Sequence, residues 1–64
     1  MEQLNDSTEQ VRKGMFGFDG GHEFQVVKIW PDGFGVTIEY TSDQKQITVM
    51  RSRFETTGGE LQLA

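Results

Sequence analysis

Trp30-Pro31-Asp32-Gly33-Phe34 stands between two runs of β-prone residues and obliges the chain to reverse direction there. Proline presets φ at the second turn position, and glycine supplies the positive φ that closes a bulged hairpin. After the turn, Phe34, Val36, Ile38 and Tyr40 alternate with Gly35, Thr37, Glu39 and Thr41, which predicts a strand with one apolar and one polar face. Before the turn, Phe24 and Val26 share a face, whereas Val27 and Ile29 fall on the opposite one. Either both faces of that strand are partly covered or a bulge shifts its phase. Ser42 and Asp43 then serve a second turn, and Ile47 and Val49 alternate with Gln46, Thr48 and Met50 in a third run. Residues 22–50 therefore read as a three-stranded antiparallel meander.

The flanks add short elements. Residues 14–18 are apolar and β-prone, interrupted by Gly17, and are expected to form a first strand of about four residues that enters the meander through Asp19-Gly20-Gly21. Gly14, Gly17, Gly20 and Gly21 do not make a phosphate-binding loop, because no helix-forming segment follows and no Lys-Ser or Lys-Thr closes the motif. Residues 51–55 lose strict alternation and suit a turn, or one turn of 3₁₀ helix, that carries Phe54 back to the core. Residues 56–59 read as a loop, and Leu61 and Leu63 share one face of a short closing strand. The expected inventory is five short strands, the last pairing beside the first so that no edge stays exposed.

On this order of elements over residues 14–63, chiefly VVKIWPDGFGVTIEY and ITVMRSRF, the chain resembles the SH3-like barrel class, including the small Tudor and KOW-type barrels. The resemblance implies an all-β, SH3-like five-stranded barrel over residues 13–64, preceded by a flexible or short helical tail over residues 1–12. It is a resemblance of architecture, and architecture alone does not carry function. The tail is polar apart from Leu4 and buries too little to order itself. Asp6 or Ser7 could cap a short helix running through Lys13, with Glu9 three residues after Asp6 and Gly14 at the C′ position.

A chain of 64 residues has room for one small domain. It contains no cysteine, which excludes a disulfide scaffold and thiolate zinc sites and leaves His22 as the sole imidazole. His22 has only Glu23 beside it, no serine stands in a nucleophile elbow, and the carboxylates are scattered. Asp19 with Glu23, and Asp32 with Glu39, could be paired only by the fold. General acid-base chemistry needs a positioned partner, so neither an enzyme nor a cofactor or metal is expected. No apolar run approaches the roughly 18 residues of a membrane span, and the polar N-terminus does not read as a signal peptide, so no membrane partner and a cytoplasmic location are expected.

The formal charge of −4 is unevenly placed. Glu2, Asp6 and Glu9 make residues 1–10 carry −3, leaving −1 for the remainder, within which Lys45, Arg51 and Arg53 set residues 44–54 apart as basic. Trp30 and Phe34 bracket the turn, and either pack across the hairpin end or leave an aromatic patch to a partner, with packing expected for Phe34. The function expected on these grounds is a small non-enzymatic binding or regulatory module whose protein partner meets Trp30, Phe34, Lys45, Arg51 and Arg53. The alternative is a weak nucleic-acid-binding barrel that uses Lys45, Arg51 and Arg53, with Lys28 on a neighbouring strand. Self-association through a strand edge is a third possibility.

Overall fold

The computed structural model describes residues 11–63, which are all β apart from turns. Six strands, β1 (Phe16–Asp19), β2 (His22–Ile29), β3 (Gly35–Tyr40), β4 (Gln46–Met50), β5 (Phe54–Thr57) and β6 (Glu60–Leu63), form one sheet in the order β4-β3-β2-β1-β6-β5. A 3₁₀ turn, Arg51–Arg53, joins β4 to β5 and delivers Phe54 to the core, as expected. Two expectations are corrected. The strands number six rather than five, and the sheet is mixed and open rather than a closed antiparallel barrel, because β6 runs parallel to β1 and β4 and β5 each have one neighbour. The additional strand is β5, which spans the end of the expected turn and the start of the expected loop and pairs with β6 across Gly58-Gly59. These two glycines have φ of 59° and 84°, the paired positive values of a type I′ hairpin turn that lets Glu-Thr-Thr return as a strand.

The meander forms because its turns and faces agree. Gly33, at φ 80°, donates its N–H to the Trp30 carbonyl at 3.0 Å, and Trp30 N–H reaches the Gly35 carbonyl at 2.9 Å, closing the β2–β3 hairpin. The carboxylate of Asp32 accepts from the N–H groups of Phe34 (2.7 Å) and Gly35 (3.1 Å). These two bonds favour its charged form and lower its pKa below the ordinary carboxylate value. The conflict of phase in β2 is resolved by a bulge: the register with β3 shifts between Val26 and Lys28, so that Phe24, Val26 and Ile29 all serve the core.

The core joins Val11, Phe24, Val26, Val36, Ile38, Phe54 and Leu61, with Met15, Ile29, Tyr40, Val49 and Leu63 packed around it. The Phe24 ring meets Tyr40 and Phe54 edge-on, at centroid separations of 6.5 and 5.9 Å. Fully burying side chains of this size contributes about 1.5–3 kcal/mol each relative to exposure, so this cluster dominates the stability of so small a sheet. Val11 is buried in it although the sequence reading places Val11 in the tail. Residues 11–13 are not helical, and Met15 N–H instead bonds to the Arg12 carbonyl at 3.1 Å. The rest of the expected tail lies outside the described residues. Among the described residues no helix is long and apolar enough to cross a membrane.

β4 and β5 are separated by three residues yet lie at opposite ends of the strand order, so the sheet must curl to bring its two edges near the 3₁₀ turn. The curl is what places the core between β2–β3 and β5–β6.

Candidate aromatic interface

The outer face of the β2–β3–β4 meander carries Lys28, Thr37 and Thr48 in one cross-strand row, set by the pairings Lys28↔Thr37 and Thr37↔Thr48. Trp30 lies over the next row, in which Gly35 pairs with Met50. The indole is fixed on three sides. Its Nε1–H donates to Thr37 Oγ1 at 2.9 Å, and Thr37 Oγ1 shares a further hydrogen bond with Thr48 Oγ1 at 2.7 Å. Lys28 Nζ stands 3.9 Å from the ring centroid, a cation–π contact. Gly35 supplies the floor: a Cβ there would lie 3.0 Å from Cδ1 of the indole. Thr37, at the boundary of burial, has its hydroxyl satisfied by these bonds, as a polar group in that position requires.

Trp30 remains 39% exposed, Met50 55% and Phe34 63%. Phe34 thus does not pack across the hairpin end as expected. It is the residue of turn closure, its N–H given to Asp32 and its carbonyl accepting Arg51 N–H at 2.6 Å, and that backbone role leaves its ring outside. Trp30, Phe34 and Met50 are all exposed and belong to the same end of the β3–β4 ladder, Met50 in phase with Thr48 on the outer face that carries Trp30 and Phe34 in phase with Val36 and Ile38.

The cations are distributed differently. Lys45 precedes β4 and Arg51 follows it, so the two lie at opposite ends of that strand, about 20 Å of extended backbone apart. Arg51 is half-buried, and its guanidinium donates to the Val11 carbonyl at 3.3 Å, tying the N-terminal segment to the 3₁₀ turn. Arg53 acts electrostatically on Tyr40, on the far side of β3 from the Trp30 end. Of the five expected partner-binding residues, the fold therefore gathers Trp30, Phe34 and Arg51 at one end of the β3–β4 ladder and sets Lys45 at the other.

Tyr40 shows a second fixed polar contact. Its hydroxyl donates to Asp19 Oδ2 at 2.5 Å, joining the end of β3 to the end of β1. That bond, with partial burial and the Asp19 charge, raises the phenol pKa to about 12. Asp19 thereby pairs with a tyrosine and not with Glu23, while Glu39 accepts from Gln46 Nε2 at 2.8 Å and Asp32 binds backbone. The carboxylates thus serve turns and cross-strand bonds, and among the described residues no group of three or more metal-ligating side chains converges.

Met50 escaped the sequence reading, which counted it on the polar side of β4. Its signal is positional: a large apolar residue in phase with Thr48 and Gln46 is necessarily turned from the core. Comparison of the chain with protein-family models, with curated proteins and with solved structures finds no match.

Proposed function

We propose that this protein is a small, non-enzymatic binding module that engages a protein partner through the apolar end formed by Trp30, Phe34 and Met50, with Arg51 at its margin. The observation that carries the reading is the combination of exposure and fixation. Phe34 and Met50 are more than half exposed at the same end of the β3–β4 ladder as an indole held by Thr37, Lys28 and Gly35. A held aromatic loses little conformational freedom on association, which is the property of interface anchors. The succession of a bulged strand, a tight hairpin, a 3₁₀ turn and a returning pair is what supports kinship with SH3-like barrels in this reading.

Nucleic-acid binding by Lys45, Arg51 and Arg53 draws less support, because Lys45 and Arg51 sit at opposite ends of β4 and Arg51 already binds a backbone carbonyl. The test is affinity capture with the wild-type protein, Phe34→Ser and Trp30→Ala, followed by quantitative mass spectrometry. A partner of the apolar end is enriched by the wild type and lost with both variants.

A further inference from the structure

The sequence holds two Asp-Gly pairs, Asp19-Gly20 and Asp32-Gly33, and each lies at a turn. An aspartate followed by glycine is chemically vulnerable, because no side chain on the following residue hinders attack of its backbone nitrogen on the aspartyl Cγ. The fold holds the two pairs in different ways. At the second pair both reacting groups are engaged by backbone. The Asp32 carboxylate accepts from the N–H groups of Phe34 and Gly35, and Gly33 N–H is donated to the Trp30 carbonyl at 3.0 Å. The bonds to the carboxylate also favour its charged form, which is a poor electrophile.

At the first pair the arrangement is reversed. Asp19 ends β1 and pairs with His22 across Gly20 and Gly21, whose φ values of 58° and 90° make a type I′ turn. The N–H of the first glycine takes no part in closing such a turn, and among the described residues Gly20 N–H has no acceptor. Asp19 Oδ2 instead receives the Tyr40 hydroxyl at 2.5 Å. The phenol draws charge from an oxygen on which negative charge gathers as Cγ is attacked. Asp19 is half-buried and Gly20 exposed, so water reaches the pair.

We infer that Asp19 is a site of spontaneous isomerisation to isoaspartate, assisted by the Tyr40 hydroxyl and with water as the only co-reactant. Gly20 N bonds to Asp19 Cγ and gives up its proton. One carboxylate oxygen departs as water, carrying that proton and a second from solvent, and a five-membered succinimide closes. Water then adds to the main-chain carbonyl carbon of residue 19, the bond from that carbon to Gly20 N breaks, the nitrogen regains a proton, and the new carboxyl ionises. Mass and charge are unchanged, but the chain now runs through Cγ, one carbon longer, and the carboxylate hangs from Cα. Tyr40 loses its acceptor and a two-residue turn gains an atom, so the β1–β2 hairpin loosens as the protein ages. The inference does not rest on the apolar end proposed above.

Incubating the purified full chain at neutral pH tests it. Trypsin then releases Asp19 in residues 14–28 and Asp32 in residues 29–45, so each site is read in its own peptide. Isoaspartate is identified by chromatographic separation and electron-transfer fragmentation, and heavy-oxygen water labels each passage through the succinimide. In urea the two sites are expected to convert at similar rates. In the folded protein Asp19 is expected to lead Asp32 by about tenfold or more. Tyr40→Phe should narrow that lead, with Asp32 as the internal control for partial unfolding. Because the chain has one tyrosine, biosynthetic replacement by fluorotyrosine offers the opposite change: its more acidic phenol is a stronger donor and should speed conversion at Asp19. This second arm decides the role of Tyr40 if circular dichroism shows Tyr40→Phe to be unfolded. Equal rates at the two sites in the folded protein, a faster Asp32, or conversion at Asp19 that is indifferent to the changes at Tyr40 would each overturn the inference.

Discussion

The indole of Trp30 lies on the backbone of Gly35, where a Cβ would stand 3.0 Å from Cδ1, 3.2 Å from Cγ and 3.3 Å from Cβ of the tryptophan. Glycine at this position thus holds the aromatic ring against the sheet and directs its N–H to Thr37. Because Gly35 does not have a positive φ, a substitution there acts through space rather than through backbone strain. Gly35→Val should lift the indole, break its bond to Thr37 and expose it. The chain has one tryptophan, so its fluorescence reports the change directly: emission should shift to the red and become more accessible to iodide. An unchanged spectrum would mean that the ring does not rest where the fold puts it.

Gly17 is the tightest point of the sheet. A Cβ there would approach the Leu61 carbonyl oxygen to 2.6 Å and Phe24 Cζ to 2.8 Å, within the parallel β1–β6 pairing. The obstacle on one side is backbone, which cannot move without opening the ladder. Gly17→Ala should destabilise the protein by about 1–3 kcal/mol, the usual range for overpacking. Urea denaturation measures it, and a loss below about 0.5 kcal/mol, the level of an ordinary surface change, would contradict the close packing of β6 on β1.

The Tyr40–Asp19 bond predicts an alkaline limb of stability. The folded-state pKa is raised from 10.0 to about 12, so the protonated phenol is favoured by folding. Its contribution is fully present below the unfolded value of 10.0 and is lost as pH rises through the folded value of about 12. Stability followed by urea denaturation should therefore fall across that window in the wild type, and Tyr40→Phe should flatten the fall while lowering stability at neutral pH. Equal slopes in the two proteins would show that the phenol is not tied to Asp19.

Much of this fold is legible in short-range pattern. The phase conflict of Phe24, Val26, Val27 and Ile29 announces the bulge, and Pro31 with Gly33 announces the hairpin that the structure closes. The loss of alternation at residues 51–53 marks the 3₁₀ turn. What eludes the sequence is long-range. Glu55, Thr56 and Thr57 form a strand because Gly58-Gly59 folds them onto β6, and their side chains are exposed, so no apolar alternation marks them. The parallel join of β6 to β1 depends on Gly17 admitting Leu61, a contact 44 residues apart that no local pattern encodes. At the apolar end the turn chemistry is readable and the phase of Met50 with Gln46 and Thr48 already turns it outward, but the exposure of Phe34 follows from where the β3–β4 ladder stops. The division of the cations between the two ends of β4 likewise follows from strand length, not from their nearness in sequence.

The central claim, that the end formed by Trp30, Phe34 and Met50 receives a protein partner, is tested most directly by titrating the protein enriched in affinity capture against the wild type, Phe34→Ser and Lys45→Glu. Truncating an interface anchor costs about 2 kcal/mol or more, close to a thirtyfold loss of affinity. Phe34→Ser is predicted to weaken binding by at least that factor with little dependence on salt, while Lys45→Glu, at the other end of β4, leaves affinity within a few fold. Undiminished binding by Phe34→Ser, or a steep fall with salt that Lys45→Glu flattens, would contradict the claim and return the basic residues to the centre of the function.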